Sequence, residues 1–195
     1  IDHYVCIARA DAAVKSFKDL FSQELIIGAS QPGTSTRDFP AMLNNMTGTK
    51  FRLVSGYPGT REITLAIEKN EVKGLCGFSW SSLQAQRPDW IKSGFIRVLV
   101  QEHDKGHPDI SRMGVPLAVE FAKTPEHRRV MELIYSSETF GRPYMMSPGV
   151  PAERVAGRAA RRGVSLTPPR AQVVADAPVG GLRLCLGGPR AEAEL

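Results

Sequence analysis

The residues best suited to chemistry lie in two Gly/Ser/Thr loops, each set after a short apolar run and before a helical pattern. The first is Gly28-Ala29-Ser30-Gln31-Pro32-Gly33-Thr34-Ser35-Thr36. Small residues let a backbone approach a ligand closely. The amino end of the helix that follows offers unpaired N–H groups and a partial positive charge, which suit a carboxylate or a phosphate. The hydroxyls of Ser30, Thr34, Ser35 and Thr36 could add donors. A plain strand–helix turn with an N-cap uses the same residue types. No Gly-Lys-Ser/Thr follows, so this is not a Walker loop. The second loop, Gly56-Tyr57-Pro58-Gly59-Thr60-Arg61-Glu62, repeats the arrangement. Tyr57 could wall a pocket and offer its hydroxyl, or simply pack half-buried. Arg61 could pair a ligand carboxylate, or stand in solvent beside Glu62. A third stretch, Ser79-Trp80-Ser81-Ser82, puts an indole where it could cover a ligand or fill the core.

The sequence holds no convincing catalytic set. His3, His103, His107 and His127 lie in unlike contexts, and none has metal-ligand spacing to another. No G-x-S-x-G elbow is present. Cys6, Cys76 and Cys185 match no zinc motif and no C-x-x-C pair. Cys6 and Cys76 could pair in an oxidising compartment, or remain two separate buried thiols. Either as a nucleophile would need a positioned base, and the sequence identifies none. A small thiol or hydrolytic enzyme would lose turnover on Cys76 alkylation, yet nothing in the chain requires that reading. The expectation is a binding protein with no cofactor and no metal.

The elements that must position these loops alternate. Tyr4–Ala8 reads as a strand, and Ser16 caps a short helix through Phe21. Leu25–Ala29 reads as a buried strand. Phe39, Met42, Leu43 and Met46 then recur at helical spacing, with Gly48 as the stop. Pro40 suits only the first turn of that helix. Lys50–Val54 is a strand, and Thr60 caps a helix that carries Ile63, Ala66 and Ile67 on one face. Val72–Gly77 and Ile96–Val100 are further strands, with a helix entered at Trp80 between them and broken at Arg87-Pro88. This rhythm predicts a largely parallel sheet with helices on its faces. Both loops then lie at the carboxyl edge of one sheet, where open α/β folds bind ligands. Pro125 starts a last helix, with Val130, Leu133 and Ile134 expected inward. Arg142–Met146 reads as extended and Pro148–Pro151 as a stiff turn.

The chain of 195 residues carries a net charge of +5. Six Arg against three acids from Gly157 onward supply +3 of it, which leaves the body at only +2. A nearly balanced body argues against nucleic-acid binding. Its apolar runs are too short to span a bilayer. Residues 157–195 are rich in Arg, Ala, Gly and Pro and lack every aromatic, so an irregular tail is expected. A GC-rich coding sequence read out of frame gives the same bias. One intact frame through codon 157 of the parent DNA would exclude that origin.

Several strings, taken in order, resemble the solute-binding proteins of tripartite tricarboxylate transporters, the Bug-type receptors. They are Ser16-Phe17-Lys18-Asp19-Leu20, the two loops above, and Ala66-Ile67-Glu68-Lys69-Asn70-Glu71-Val72-Lys73-Gly74. Val115-Pro116-Leu117, Gly141-Arg142-Pro143 and Pro148-Gly149-Val150-Pro151 continue the series. The resemblance implies a type II periplasmic-binding fold, in which two α/β lobes close on a small organic anion that a membrane permease receives. It implies a periplasmic location, although the chain shows no signal peptide. Carried over, Ser30, Gly33, Thr34, Ser35 and Thr36 form the anion loop, Tyr57, Gly59 and Thr60 the next cleft loop, and Trp80 a further contact. Residues 1–9 become an incoming hinge strand and 10–95 the second, ligand-binding lobe. Residues 96–156 become a returning hinge strand with part of the first lobe. The family's signal peptide, first-lobe strand and C-terminal helices have no counterpart here, so a truncated receptor is expected. Two other readings stay open: an effector-sensing domain of a transcriptional regulator, which shares the fold class, and an inactive fragment.

Overall fold

The computed structural model describes residues 2–137 and, beyond them, only Arg154, Gly157, Arg158, Arg161, Leu166–Thr167 and Arg183–Leu184. The chain divides into two compact units, Ile1–Gly141 and Arg142–Leu195. In the second, β6 (Leu166–Thr167) and β7 (Arg183–Leu184) pair antiparallel. The expected extended run Arg142–Met146, the turn Pro148–Pro151 and most of the Arg/Ala/Gly/Pro tail lie outside the described residues.

The first unit is built on five strands: β1 (Tyr4–Arg9), β2 (Leu25–Ala29), β3 (Phe51–Ser55), β4 (Gly74–Ser79) and β5 (Ile96–Glu102). Their order across the sheet is β3-β2-β4-β1-β5. β2 runs parallel to β3 and β4. The expected parallel sheet needs one correction, because β1 lies antiparallel to both β4 and β5. Local periodicity shows that β1 is a strand, but its direction is set by partners about 70 to 100 residues further on.

Helices cover both faces. On one face Cys6, Ala8, Leu25, Ile27 and Cys76 pack against Phe39, Met42 and Leu43 of α1 (Ser35–Thr47) and against Met131 and Tyr135 of α6 (Pro125–Ser136). On the other, Val5, Ile7, Leu75 and Phe78 pack against Ile63 and Ile67 of α2 (Thr60–Glu68) and Trp80 and Leu83 of α3 (Trp80–Gln86). Trp90 of the one-turn α4 (Asp89–Lys92) and Ile110 of α5 (Pro108–Arg112) complete that layer. Among the described residues no helix is long and apolar enough to cross a membrane.

Two helices depart from expectation. α1 begins at Ser35, so Pro40 lies inside it and not in its first turn. The ring costs the Thr36 carbonyl its usual donor four residues on. In α6 the buried residues are Met131 and Tyr135, whereas Leu133 is 73% exposed and Ile134 37%. Tyr135 packs on Phe39 with ring centroids 5.3 Å apart. Residues four apart share one face of a helix, so burying 131 and 135 turns 133 to the opposite side.

Candidate functional site: the amino end of α1

The carboxyl ends of β2, β4 and β5 meet at one edge, beside the start of the reversed strand β1, where Tyr4 pairs with both Ser79 and Glu102. The first loop leaves β2 at this edge and enters α1. Gly33, at φ +86°, turns the chain in the left-handed region. Gly33, Thr34 and Ser35 then line a cleft of about 430 Å³ together with Tyr4, Asp38, Phe39, Ile134 and Ser137.

Behind this wall the hydroxyls form a knot. Ser30 and Thr36 are buried. Ser30 Oγ lies 2.5 Å from Thr36 Oγ1 and 2.8 Å from Thr34 Oγ1. The Ser30 N–H donates to Thr36 Oγ1 at 3.2 Å, and Thr34 Oγ1 donates to the Gln31 carbonyl at 2.7 Å. One arrangement uses every proton: Thr34 to Gln31, Ser30 to Thr34, and Thr36 to Ser30. Ser35 Oγ donates to the Gly77 carbonyl at 2.9 Å. The four hydroxyls therefore hold the loop together. The N-cap residue Thr34 makes no side-chain cap, and among the described residues no other side chain caps α1. Its first amides are thus the donors that remain for an anion in the cleft.

The other candidates lie elsewhere. Tyr57 is half-buried against the α2-side core, with its ring under Gly28. A Cβ on Gly28 would stand 2.5 Å from Ile63 Cγ2 and 3.3 Å from the Tyr57 ring. Burial, then the charge of Glu71, pushes the Tyr57 phenol up. Gly59 is the N-cap residue of α2 and Thr60 its first residue, and no side chain caps that helix. Trp80 is 5% exposed and sits in the α2-side core. The cleft at α1 thus gathers three of the nine expected residues directly, Gly33, Thr34 and Ser35, with Ser30 and Thr36 in the knot.

Three further features bear on the chemistry, the first of them one of the two alternatives the sequence left open. Cys6 and Cys76 are joined by a disulfide between β1 and β4, so neither offers a free thiol to a nucleophilic mechanism. With Glu102 they are the group of metal-type donors that converges among the described residues, but the bond engages both sulfurs. Second, three of the histidines do meet. His3 stacks on His103 at 4.2 Å between centroids and meets His107 edge-on at 5.1 Å. His103 Nδ1 lies 2.6 Å from Asp104. Burial, then the neighbouring imidazoles, depresses His3 to about 4. Spacing along the chain could not foretell this, because β1 and β5 bring the rings together from opposite directions. Third, Glu102 is fully buried at the end of β5, with burial pushing its acid up to about 8. Its one signal in the sequence is an acid ending the chain's clearest apolar strand.

This architecture, a mixed sheet of order β3-β2-β4-β1-β5 with helices on both faces and a cleft at its edge, defines an α/β lobe of the type II periplasmic-binding class. Solved structures share it. A protein of R. palustris solved with adipate matches with a TM-score of 0.51 at 20% identity, over 72% of this chain and 52% of that one. The periplasmic binding protein BugD matches with a TM-score of 0.50 at 16% identity, over 73% of this chain and 52% of its own. The chain thus spans about half the length of these structures. No protein-family profile matches it. No curated protein matches it either.

Proposed function

We propose that this chain is the ligand-binding lobe of an extracytoplasmic solute-binding protein of the tripartite tricarboxylate (Bug-type) class. In this reading it takes a small organic carboxylate at the amino end of α1 and presents it to membrane permease subunits from the periplasm. The observation that carries the reading is the cleft walled by Gly33, Thr34 and Ser35 at a thirteen-residue helix that, among the described residues, has no side-chain cap. A carboxylate there accepts charge-assisted hydrogen bonds from backbone N–H donors and meets the favourable end of the helix dipole. The hydroxyl knot fixes those donors before the ligand arrives, so little ordering cost remains at binding. Adipate is bound in one solved relative of this fold, which makes it a fitting probe.

Backbone amide NMR with adipate, and with neutral adipamide as control, tests the proposal. Adipate should shift the Ser35 and Thr36 amides in a saturable way, and adipamide should not. Equal effects of the two probes would refute recognition of the carboxylate. Thr34→Ala with Ser35→Ala should weaken adipate on the order of tenfold, as loosened positioning of several hydrogen bonds would. Unchanged affinity would remove these residues from the site.

A further inference from the structure

The bulge beneath α1 leads from the candidate site to a buried acid. Val5 pairs with Phe78 and Ile7 with Leu75, so Cys6 alone faces both Cys76 and Gly77. This is a β-bulge on β4, which takes backbone groups out of the ladder and re-aims them. Gly77 occupies it at φ +61°, where a side chain would be strained. A Cβ there would also stand 2.3 Å from the Ser35 carbonyl carbon and oxygen and 2.7 Å from the Thr36 nitrogen. The bulge therefore presses directly on the first turn of α1.

Both polar groups of Gly77 find partners outside the ladder. Its N–H donates to Glu102 Oε2 at 2.6 Å, and its carbonyl accepts from Ser35 Oγ at 2.9 Å. The other oxygen of Glu102 lies 3.3 Å from Cys6 Sγ. That sulfur is bridged to Cys76 and has no proton to give, so it does not donate to the carboxyl. A continuous chain thus runs from Glu102 through Gly77 to Ser35.

We propose that Glu102 is a positioning residue for the anion-binding end of α1, acting through the Gly77 bulge. The proposal rests on the reading of that end as the carboxylate site. The Glu102 carboxyl does not line the cleft; it holds Gly77, against which the Ser35–Thr36 peptide rests. Its protonation should then be felt at the cleft. Neutral, it holds Gly77 without adding charge. Ionised, it places a buried negative charge beneath the first turn of α1, two hydrogen bonds from Ser35. Its carboxyl oxygens meet Cys6 Sγ of the disulfide and the Gly77 amide, Tyr4 pairs with it across the sheet, and no charged side chain is among the causes of its raised acid. Its acid lies near 8, so the change falls in an accessible range.

The test follows the Gly77, Ser35 and Thr36 amides and the Glu102 carboxyl carbon by NMR from pH 6 to 9.5, with and without adipate, in the wild-type chain and in Glu102→Gln. Gln keeps an acceptor for Gly77 and cannot ionise. In the wild type all four signals should titrate together, with adipate affinity falling on the order of tenfold across the range, as expected for a nearby unscreened charge. Glu102→Gln should hold a pH-independent affinity and flat Ser35 and Thr36 signals. Ser35 and Thr36 amides that stay flat while Glu102 titrates, or that titrate equally in the Gln variant, would overturn the proposal. If adipate shifts nothing at any pH, the carboxylate reading fails, while the ligand-free titration still decides the link from Glu102 to α1.

Discussion

The amino ends of α1 and α3 reach the same edge of the sheet and are finished in opposite ways. At α3 the N-cap Ser79 accepts the Ser82 N–H at 3.2 Å. A carboxylate of the chain itself, Asp2, then takes the hydroxyls of Ser79 and Ser81 and the Ser81 N–H. This end already holds the anion that a helix start favours. At α1 the N-cap Thr34 turns its hydroxyl away, toward Gln31 and Ser30, and among the described residues no side chain takes its place. Similar residue types thus do two jobs. Serines at α3 satisfy the helix, while serine and threonines at α1 bond to one another and stiffen the loop. Hydroxyls in a loop do not by themselves mark a binding site; the direction in which they donate does.

The largest expected effect breaks the α1 side. Gly77→Ala forces a Cβ into the Ser35 peptide at an unfavourable φ. It should cost on the order of 3 kcal/mol. For a unit of this size that lowers Tm by about 10 °C, read by calorimetry. The Ser35 and Thr36 amide shifts should move while those of Ser81 and Ser82 stay. A loss of stability below about 0.5 kcal/mol would mean that the close approach is not there.

Glu102 gives the next effect, and its sign follows from the direction of its shift. Its acid is raised from 4.5 to about 8 in the fold, so the folded chain holds the extra proton between those values. Its contribution to stability is complete below about pH 4.5 and is lost as pH rises through about 8. Glu102→Gln should remove this fall, and at pH 8.5 the variant should exceed the wild type by about 2 kcal/mol in denaturant titrations. Parallel stability profiles for the two proteins would rule out a buried neutral acid.

Smaller effects sharpen the α3 side. Ser79→Ala removes a cap and should cost about 1 kcal/mol in the same titrations. Asp2→Asn keeps the shape and removes the charge, so its cost should be smaller still and should shrink with added salt. Neither should change the response of α1 to adipate. A change there would mean that the two helix ends are not separate sites.

Much of this was legible along the chain. The strands, the two loops and the helices after them follow from period and punctuation, and Gly48 ends α1 in the left-handed conformation as a C-terminal glycine should. The rest depends on pairing across distance. The reversed direction of β1 and the meeting of His3, His103 and His107 arise from strands far apart in sequence. The inward face of α6 could not be chosen between two apolar stripes without Phe39 to pack on. At the candidate site the loop was visible, but its hydrogen bonds were not. Whether Ser30, Thr34, Ser35 and Thr36 offer their protons or spend them on one another depends on fractions of an ångström. Glu102 escaped notice because an acid at a strand end usually faces water. Only the bulge, with its displaced amide, explains why this one is buried.

The contrast between the two helix ends is tested most directly by one amide NMR titration with adipate at pH 6.5. Saturable shifts at Ser35 and Thr36, with Ser81 and Ser82 unmoved, are the predicted result. Shifts at Ser81 and Ser82 alone, or at neither pair, would contradict the assignment of the carboxylate site to α1.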